Sequence, residues 1–154
     1  MRAVVQRVSE ASVSIEGAVV GSCAAGYLVL LGVGESDTEA EVEQLWNKIF
    51  KLRMFPDGEK HTGASLADVG GEVLVISQFT LYADCRKGNR PSFTGAGDPA
   101  ESERLYELFV ERARQDVPRV ATGEFGADMQ VALVNDGPFT ICLDTDDLKK
   151  PRKR

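Results

Sequence analysis

Three segments of the sequence place polar or basic residues where they could take part in chemistry. The first, Ser77-Gln78-Phe79-Thr80, follows the apolar run 73–76 and offers hydroxyls, an amide and backbone N–H groups. The second, residues 135–140, combines turn residues with a Gly-Pro pair that lets a ligand approach the backbone closely. The third, residues 86–93, is a basic cluster suited to binding an anion. Each also has a simpler interpretation, namely a strand leaving the core, a hairpin loop and a solvated charged loop.

Several familiar kinds of catalytic site are disfavoured by the residue types present. His61 is the one histidine and lies in a polar stretch, so Ser-His-Asp and Cys-His arrangements have a single candidate base. Cys23, Cys85 and Cys142 are odd in number and lack Cys-x-x-Cys spacing. This indicates reduced thiols in a cytoplasmic protein, and we expect neither a metal nor a cofactor. Gly32-Val33-Gly34 precedes a helix, but a lone Gly-x-Gly is more typical of a turn.

The elements that must position these segments are predicted from hydrophobic periodicity and capping residues. One helix is predicted to begin at Thr38, with Glu41 in capping-box spacing, and another at Asp98, with Pro99 at its first position. Runs of strands with two main helices predict an α+β fold with a mixed, mostly antiparallel or barrel-like sheet. Strands are predicted at 11–16, 18–23, 27–33, 73–76 running straight into 77–81, 129–133 and 139–143, with polar loops at 57–71 and 84–98 and a turn at 135–138.

Charge is distributed unevenly along the 154 residues. Lys and Arg number 18 and Asp and Glu 24, giving a net charge of −6. Five of the last six residues are basic, so the other 148 carry 13 − 24 = −11. An acidic body argues against a broad nucleic-acid surface, because phosphate contacts need basic side chains. We assign residues 1–144 to a single domain and 145–154 to a basic C-terminal tail. The sequence predicts neither a signal peptide nor a membrane span.

At the three segments the sequence resembles the D-aminoacyl-tRNA deacylase family. The resemblance extends from residue 1 to about residue 144, and the Ser-Gln-Phe-Thr and Asn-x-Gly-Pro-x-Thr motifs are highly specific together. Phe139 stands where many members have valine, which is a conservative difference. The motifs that carry the resemblance are Gln6-Arg7-Val8, Ser77-Gln78-Phe79-Thr80-Leu81, Arg90-Pro91-Ser92-Phe93 and Asn135-Asp136-Gly137-Pro138-Phe139-Thr140.

The resemblance implies an enzyme that hydrolyses the ester joining a D-amino acid to the terminal adenosine of tRNA, and that also removes wrongly attached glycine. It implies a homodimer with sites at the subunit interface. It also implies a cis bond between Gly137 and Pro138, whose carbonyls, supplied by the partner subunit, face the chiral centre of the substrate. The residues implied to line the catalytic pocket are Ser77, Gln78, Phe79 and Thr80.

The residue types fit such chemistry. An aminoacyl ester is already labile, so hydrolysis needs positioning and oxyanion stabilisation more than a strong nucleophile. Backbone N–H groups near Phe79 and Thr80 could stabilise the oxyanion. We interpret Thr80 as a positioning residue, because no base is apparent beside it, and the neighbouring ribose hydroxyl of the substrate could assist. Arg86, Lys87 and Arg90, together with the tail, are the candidate contacts to tRNA.

Two alternatives remain open at the level of sequence. One is another freestanding tRNA-editing hydrolase, similar to the editing domain of archaeal threonyl-tRNA synthetases, which removes L-serine. The other is a dimeric binding module that holds nucleotides or RNA ends through Phe79 without hydrolysing them. Deacylation assays with D- and L-aminoacyl-tRNA separate all three hypotheses.

Overall fold

A computed structural model describes residues 1–153 and shows eight strands and four helices in that part of the chain. The strands are β1 (Arg2–Ile15), β2 (Ala18–Cys23), β3 (Gly26–Gly32), β4 (Phe55–Asp57), β5 (Lys60–Ala64), β6 (Glu72–Ser77), β7 (Val120–Thr122) and β8 (Gln130–Asp144). The helices are α1 (Glu39–Lys51), α2 (Leu66–Val69), α3 (Pro99–Asp116) and α4 (Thr145–Leu148), with a 3-10 turn at Phe79–Tyr82. None of the helices within residues 1–153 has the length and apolarity to cross a membrane.

The main sheet is mixed and nearly closes into a barrel, as the α+β prediction expected. The long strand β1 pairs antiparallel with β8 along one edge, and with β3 and then β2 along the other. β3, β6 and β7 continue the sheet in parallel. β2 returns to lie against β7, where a Cβ on Gly21 would collide with the backbone carbonyl of Thr122. The missing side chain at Gly21 therefore lets the two sheet edges approach each other.

The central strands are covered on both faces, which explains their continuous apolar runs. Alternate residues of β3 belong to two different cores, because successive side chains point to opposite faces. Tyr27, Val29 and Leu31 pack with α1 and α3 outside the barrel, while Leu28 packs with Val13 inside it. Both faces of β6 are likewise buried. These cores fix the strand ends that carry the segment beginning at Ser77.

Both predicted main helices are confirmed, with the capping residues the sequence indicated. The Thr38 side chain accepts the Ala40 N–H and Glu41 returns to the Thr38 N–H, so the capping box at α1 is formed. Asp98 caps α3, accepting the Glu101 N–H at 3.3 Å. The apolar stripes of both helices are buried against the sheet.

Three local predictions are wrong. The loop predicted at 57–71 contains β5 and α2, since Ser65 and Asp68 form a second capping box. The strand predicted to run to residue 81 ends at Ser77, because its neighbour β3 ends at Gly32 and leaves nothing to pair with. The chain does not reverse at 135–138 either: residues 130–135 and 140–144 pair in the same direction with β1, and residues 136–139 bulge out of one long strand, β8.

Candidate active site

The segment that begins at Ser77 forms an exposed turn at the end of a buried strand. The Gln78 N–H donates to the Leu31 carbonyl at 2.7 Å, which extends the β3–β6 pairing by one bond. The 3-10 turn follows and is closed by the Leu81 N–H, which donates to the Gln78 carbonyl at 3.2 Å. The hydrogen bonds between β3 and β6 thus continue as far as Gln78 and determine where the exposed turn begins.

This turn presents several groups that could contact a ligand. Within residues 1–153 the N–H groups of Phe79 and Thr80 have no hydrogen-bond acceptor, as expected for the first residues of a helical turn. Phe79 is 57% exposed, and its ring meets the ring of Phe93, also exposed, edge-on, with centroids 5.1 Å apart. The Gln78 side-chain amide donates to the Thr80 hydroxyl oxygen. Two N–H donors, an oriented hydroxyl and an aromatic surface therefore occur together.

The second segment, residues 136–139, is held in place by Arg7. The Arg7 guanidinium donates to the carbonyls of Asp136 at 3.1 Å and Gly137 at 3.4 Å, and to the buried Met54 carbonyl at 2.5 Å. It also pairs with the Asp136 carboxylate at 3.1 Å and lies 4.4 Å from the centroid of the Phe139 ring. A buried cation therefore supports an exposed bulge from beneath.

Asn135 fixes the base of the same bulge. Its side-chain amide donates to the carbonyls of Arg7 and Phe139, both at 3.0 Å. The Gly137–Pro138 peptide bond is cis, and both residues are exposed. Arg7 lies in a motif of the family resemblance, but the sequence assigned it no role. Its period-2 position was a usable signal, because Arg7 continues the buried series of Ala3 and Val5 on the face of β1 that the helices cover.

Within one chain, the turn after Ser77 and the bulge at residues 136–139 lie at different places on the sheet. Across the ladder, Ser77 of β6 is level with Leu143 of β8, which lies three strand spacings away. Asn135, two residues before Gly137, is level with Glu72 and thus five residues further along the sheet. Three strand spacings and about four residues of rise correspond to roughly 20 Å. Along the sheet, one protomer therefore places the strand positions that carry the two segments well apart.

The basic cluster at residues 86–93 lies in a hairpin-like loop that follows the turn. Reciprocal backbone hydrogen bonds between Asp84 and Ser92, at 2.7 and 2.9 Å, close it. Arg86 forks onto the Asp84 carboxylate at 2.6 and 2.9 Å, and hydrogen bonding to that guanidinium lowers the pKa of Asp84 to about 2. Lys87 and Arg90 are exposed. Of the three predicted tRNA contacts, Arg86 is therefore already paired within the loop.

The start of the predicted tail packs onto the body. Thr145 is fully buried and its hydroxyl accepts the Met1 ammonium at 2.7 Å. Lys149 pairs with Glu41 at 2.5 Å, and hydrogen bonding to that ammonium lowers the pKa of Glu41 to about 2. Arg152 and Lys153 are exposed, and Arg154 lies outside the described residues.

Other groups that could carry chemistry are placed less favourably. Burial raises the pKa of the Cys23 thiol to about 11, so it stays protonated inside the barrel. His61 is exposed on β5. In the portion of the chain that the structure describes, no three His, Cys, Asp or Glu side chains are grouped as metal ligands.

Comparison with known proteins supplies the family context of this geometry. A family model described as D-Tyr-tRNA(Tyr) deacylase matches residues 4–144. A relative named D-aminoacyl-tRNA deacylase from Lacticaseibacillus casei (strain BL23) is 60% identical over 146 residues, covering 95% of this chain and 99% of the relative. One of the same name from Roseiflexus castenholzii (strain DSM 13941 / HLO8) is 54% identical over 154 residues, covering 100% and 98%.

Solved structures confirm the architecture. One titled "c-Myc DNA Unwinding Element Binding Protein" matches with a TM-score of 0.89 and 42% identity, over 94% of this chain and 98% of that one. A second, titled as a structural analysis of a probable eukaryotic D-amino acid tRNA deacylase, matches with a TM-score of 0.80. At 17% identity over 92% of this chain and 97% of that one, the second likeness shows the fold alone.

Proposed function

The chain belongs to the D-Tyr-tRNA(Tyr) deacylase family of ester hydrolases, and from this premise we propose that it hydrolyses the ester joining a D-amino acid to the 3′-terminal adenosine of tRNA. The observation that carries the proposal is the exposed turn at the end of β6, with two N–H groups lacking acceptors within residues 1–153 and an adjoining aromatic pair. Aromatic faces bind an unstacked base, and converging N–H groups bind an oxyanion.

The proposed chemistry needs no activated nucleophile. The N–H groups of Phe79 and Thr80 stabilise the negative charge that develops on the ester carbonyl as water attacks. The Thr80 oxygen accepts a hydrogen bond from the Gln78 amide, which orients the hydroxyl but cannot take its proton as a general base would. Thr80 therefore orients the ester or the attacking water, with Ser77 and Gln78 completing the pocket wall.

Stereochemical selection is assigned to the segment containing Gly137 and Pro138, contributed by a partner subunit of a homodimer. Backbone pressed against the α-carbon leaves room for hydrogen on one side, so an L side chain collides with it and a D side chain points away. The separation of roughly 20 Å within one chain supports a shared site. Glycine has no side chain to exclude, so glycyl-tRNA is included among the proposed substrates.

We further assign the reaction to chirality proofreading of translation in the cytoplasm, in keeping with the three free cysteines at positions 23, 85 and 142. The matched structure whose title names a DNA element does not lead us to propose duplex binding. With −11 on residues 1–148, the body lacks the basic surface that a duplex phosphate backbone requires. A site that grips one aminoacylated end needs few phosphate contacts.

The decisive experiment is a deacylation assay on four substrates with the purified protein. D-Tyr-tRNA and Gly-tRNA are expected to lose their amino acids, while L-Tyr-tRNA and L-Ser-tRNA stay charged. Thr62→Ala, at an exposed position of β5, is the matched control for the Thr80→Ala variant in the same assay. Hydrolysis confined to L-Ser-tRNA would point to the editing alternative. Binding of D-Tyr-tRNA without hydrolysis would point to a binding module.

A further inference from the structure

Two glycines at the end of β3 lie directly beneath the 3-10 turn. Gly32 is the last residue of β3, and Gly34 follows two residues later in the motif that the sequence assigned to a turn. Neither has the positive φ that restricts a position to glycine, as Gly17 and Gly88 do. The reason for glycine at these two positions is therefore space above the backbone rather than backbone conformation.

The turn occupies the space that side chains would take. A Cβ on Gly32 would lie 2.9 Å from the Gln78 carbonyl oxygen and 3.2 Å from the Leu81 Cβ. A Cβ on Gly34 would lie 2.7 Å from the Tyr82 hydroxyl and 2.8 Å from its Cζ. Contacts under 3.0 Å require the neighbouring atoms to shift. The backbone of the turn is thus packed on Gly32, and the Tyr82 ring at its end is packed on Gly34.

Contacts on the other side prevent the turn from yielding freely. The Arg2 guanidinium donates to the Leu81 carbonyl at 3.0 Å and lies 4.4 Å from the centroid of the Tyr82 ring. Arg2 is itself held by Asp144 at 2.9 Å. The Tyr82 hydroxyl donates to Asp37 at 3.4 Å. The turn is therefore sandwiched between the glycines and an anchored arginine.

We propose that Gly32 and Gly34 are positioning residues for the reaction, because their missing side chains set the height of the turn above β3. This proposal rests on the proposed function. The Gln78 carbonyl shares one planar peptide unit with the Phe79 N–H, a proposed oxyanion donor. Pushing that oxygen away from Gly32 tilts the unit and redirects the N–H. Gly34 acts through the Tyr82 ring, which ends the same turn.

The test compares Gly32→Ala and Gly34→Ala with Gly95→Ala. A Cβ on Gly95 meets the same Tyr82 ring at an ordinary 3.7 Å, so this variant adds a methyl without displacing the turn. Single-turnover hydrolysis of D-Tyr-tRNA by a saturating excess of enzyme is measured well below the Tm of each variant, where all are folded. The first two variants should lose rate on the order of tenfold to a hundredfold, as expected for sub-ångström misplacement. Gly95→Ala should match the wild type.

A double-mutant cycle tests whether Gly34 acts through the Tyr82 ring. The atoms nearest to the Gly34 Cβ belong to the far end of the Tyr82 ring, which Tyr82→Leu removes. Adding Gly34→Ala to Tyr82→Leu should therefore cost no further rate and no further Tm, even if Gly34→Ala alone folds poorly. An equal cost of Gly34→Ala in both backgrounds overturns the proposal.

Failure of this inference is distinguishable from failure of the proposed function. If the wild type leaves D-Tyr-tRNA charged, the proposed function fails first. If the wild type is active and Gly32→Ala and Gly34→Ala hydrolyse at the wild-type rate, the positioning role is refuted while the function stands. A loss confined to KM, with kcat unchanged, also contradicts it, because misdirected oxyanion donors act on the chemical step.

Discussion

Arg7 shows at the scale of a single residue how the interior controls an exposed segment. It is 6% exposed, yet its charge is compensated by one carboxylate and three carbonyls. A buried cation is tolerated only with such partners, and the planar guanidinium reaches several acceptors at once. Asp136 and Gly137 thus have their positions determined from beneath, before any ligand arrives.

Replacing Arg7 should destabilise the fold and weaken selectivity. Arg7→Met leaves three carbonyls and Asp136 without a donor, so the free energy of unfolding should fall by roughly 2–4 kcal/mol. Arg7→Lys keeps the charge without the fork and should fold, but with a smaller ratio of D-Tyr-tRNA to L-Tyr-tRNA hydrolysis. Urea denaturation and the two-substrate assay measure these effects. Arg53→Met, at an exposed site, is the control. If Arg7→Met is as stable as the wild type, Arg7 does not hold the bulge at residues 136–139 in place.

Thr80→Ala should slow deacylation without abolishing it. A residue that orients the ester or water is expected to contribute roughly 10- to 100-fold in kcat, and the N–H donors remain in the variant. Rates are measured with D-Tyr-tRNA, and quenched reactions are examined by mass spectrometry for acylated protein. Complete loss of activity with tRNA binding intact, together with a trapped acyl-Thr80 ester, would instead identify Thr80 as a nucleophile.

At the scale of elements, the N-terminus of α1 and the short helix α4 are joined by one carboxylate. Glu41 completes the capping box of α1 with Thr38 and accepts the Lys149 ammonium. It is 8% exposed. Satisfied backbone donors, the positive end of the helix and a partner cation all favour its charged form. The chain beyond β8 is thereby fastened to the first helix.

This junction should make stability depend on acid. The pKa of Glu41 is lowered from 4.5 to about 2, so its contribution is complete above pH 4.5 and is lost as the pH falls toward 2. Glu41→Gln should lower the free energy of unfolding by ~1–2 kcal/mol near neutral pH, and the difference should shrink below pH 4.5. Denaturation at several pH values tests this, with exposed Glu103→Gln as the control. A difference that is constant down to pH 2 would contradict it.

At the scale of the whole molecule, the distance between the turn and the bulge becomes the main constraint. Measured along the sheet of one chain, the strand positions that carry the turn and the bulge are roughly 20 Å apart, a long span for a single aminoacyl ester. If both act on one substrate, two chains must meet. The exposed bulge on β8 and the exposed aromatic pair at Phe79 are the surfaces available for that meeting.

Mixed dimers test the shared site directly. A Thr80→Ala chain paired with a Gly137→Ala chain forms one site with both substitutions and one site with neither, provided that turn and bulge come from different subunits. Gly137→Ala itself is compatible with the fold, since its Cβ would meet only Asn135 Oδ1 at 3.7 Å. The mixture should regain up to half the wild-type rate per heterodimer. If each site lies within one chain, both sites stay impaired and no activity returns.

Removal of residues 151–154 should weaken tRNA binding and flatten its salt dependence without altering stereoselectivity. For every phosphate that the shortened chain no longer neutralises, the slope of log K against log salt falls by ~0.7–0.9. Lys149→Gln is the contrasting variant, because Lys149 already neutralises Glu41 and should affect stability more than the salt slope. Binding is measured at several salt concentrations. An unchanged slope after truncation would show that the end of the chain does not bind the nucleic acid.

What the sequence determined by itself is mainly local. Capping at Thr38 and Asp98, the buried stripes of α1 and α3 and the runs of β3 and β6 follow from short-range patterns that tertiary packing reinforced. The motifs at Ser77 and Gly137 were recognisable because residue types at fixed spacing identify a family.

Only the tertiary structure decided where the chain turns and what supports the site. Asn-Asp-Gly-Pro is typical of a turn, yet β1 is long enough to pair with residues on both sides of it, so one strand continues past a bulge. The strand after Ser77 stops because β3 stops. The roles of Arg7 and of Gly32 and Gly34 arise from contacts between residues distant in sequence. Such contacts exist only once the chain has folded, so local patterns could not predict them.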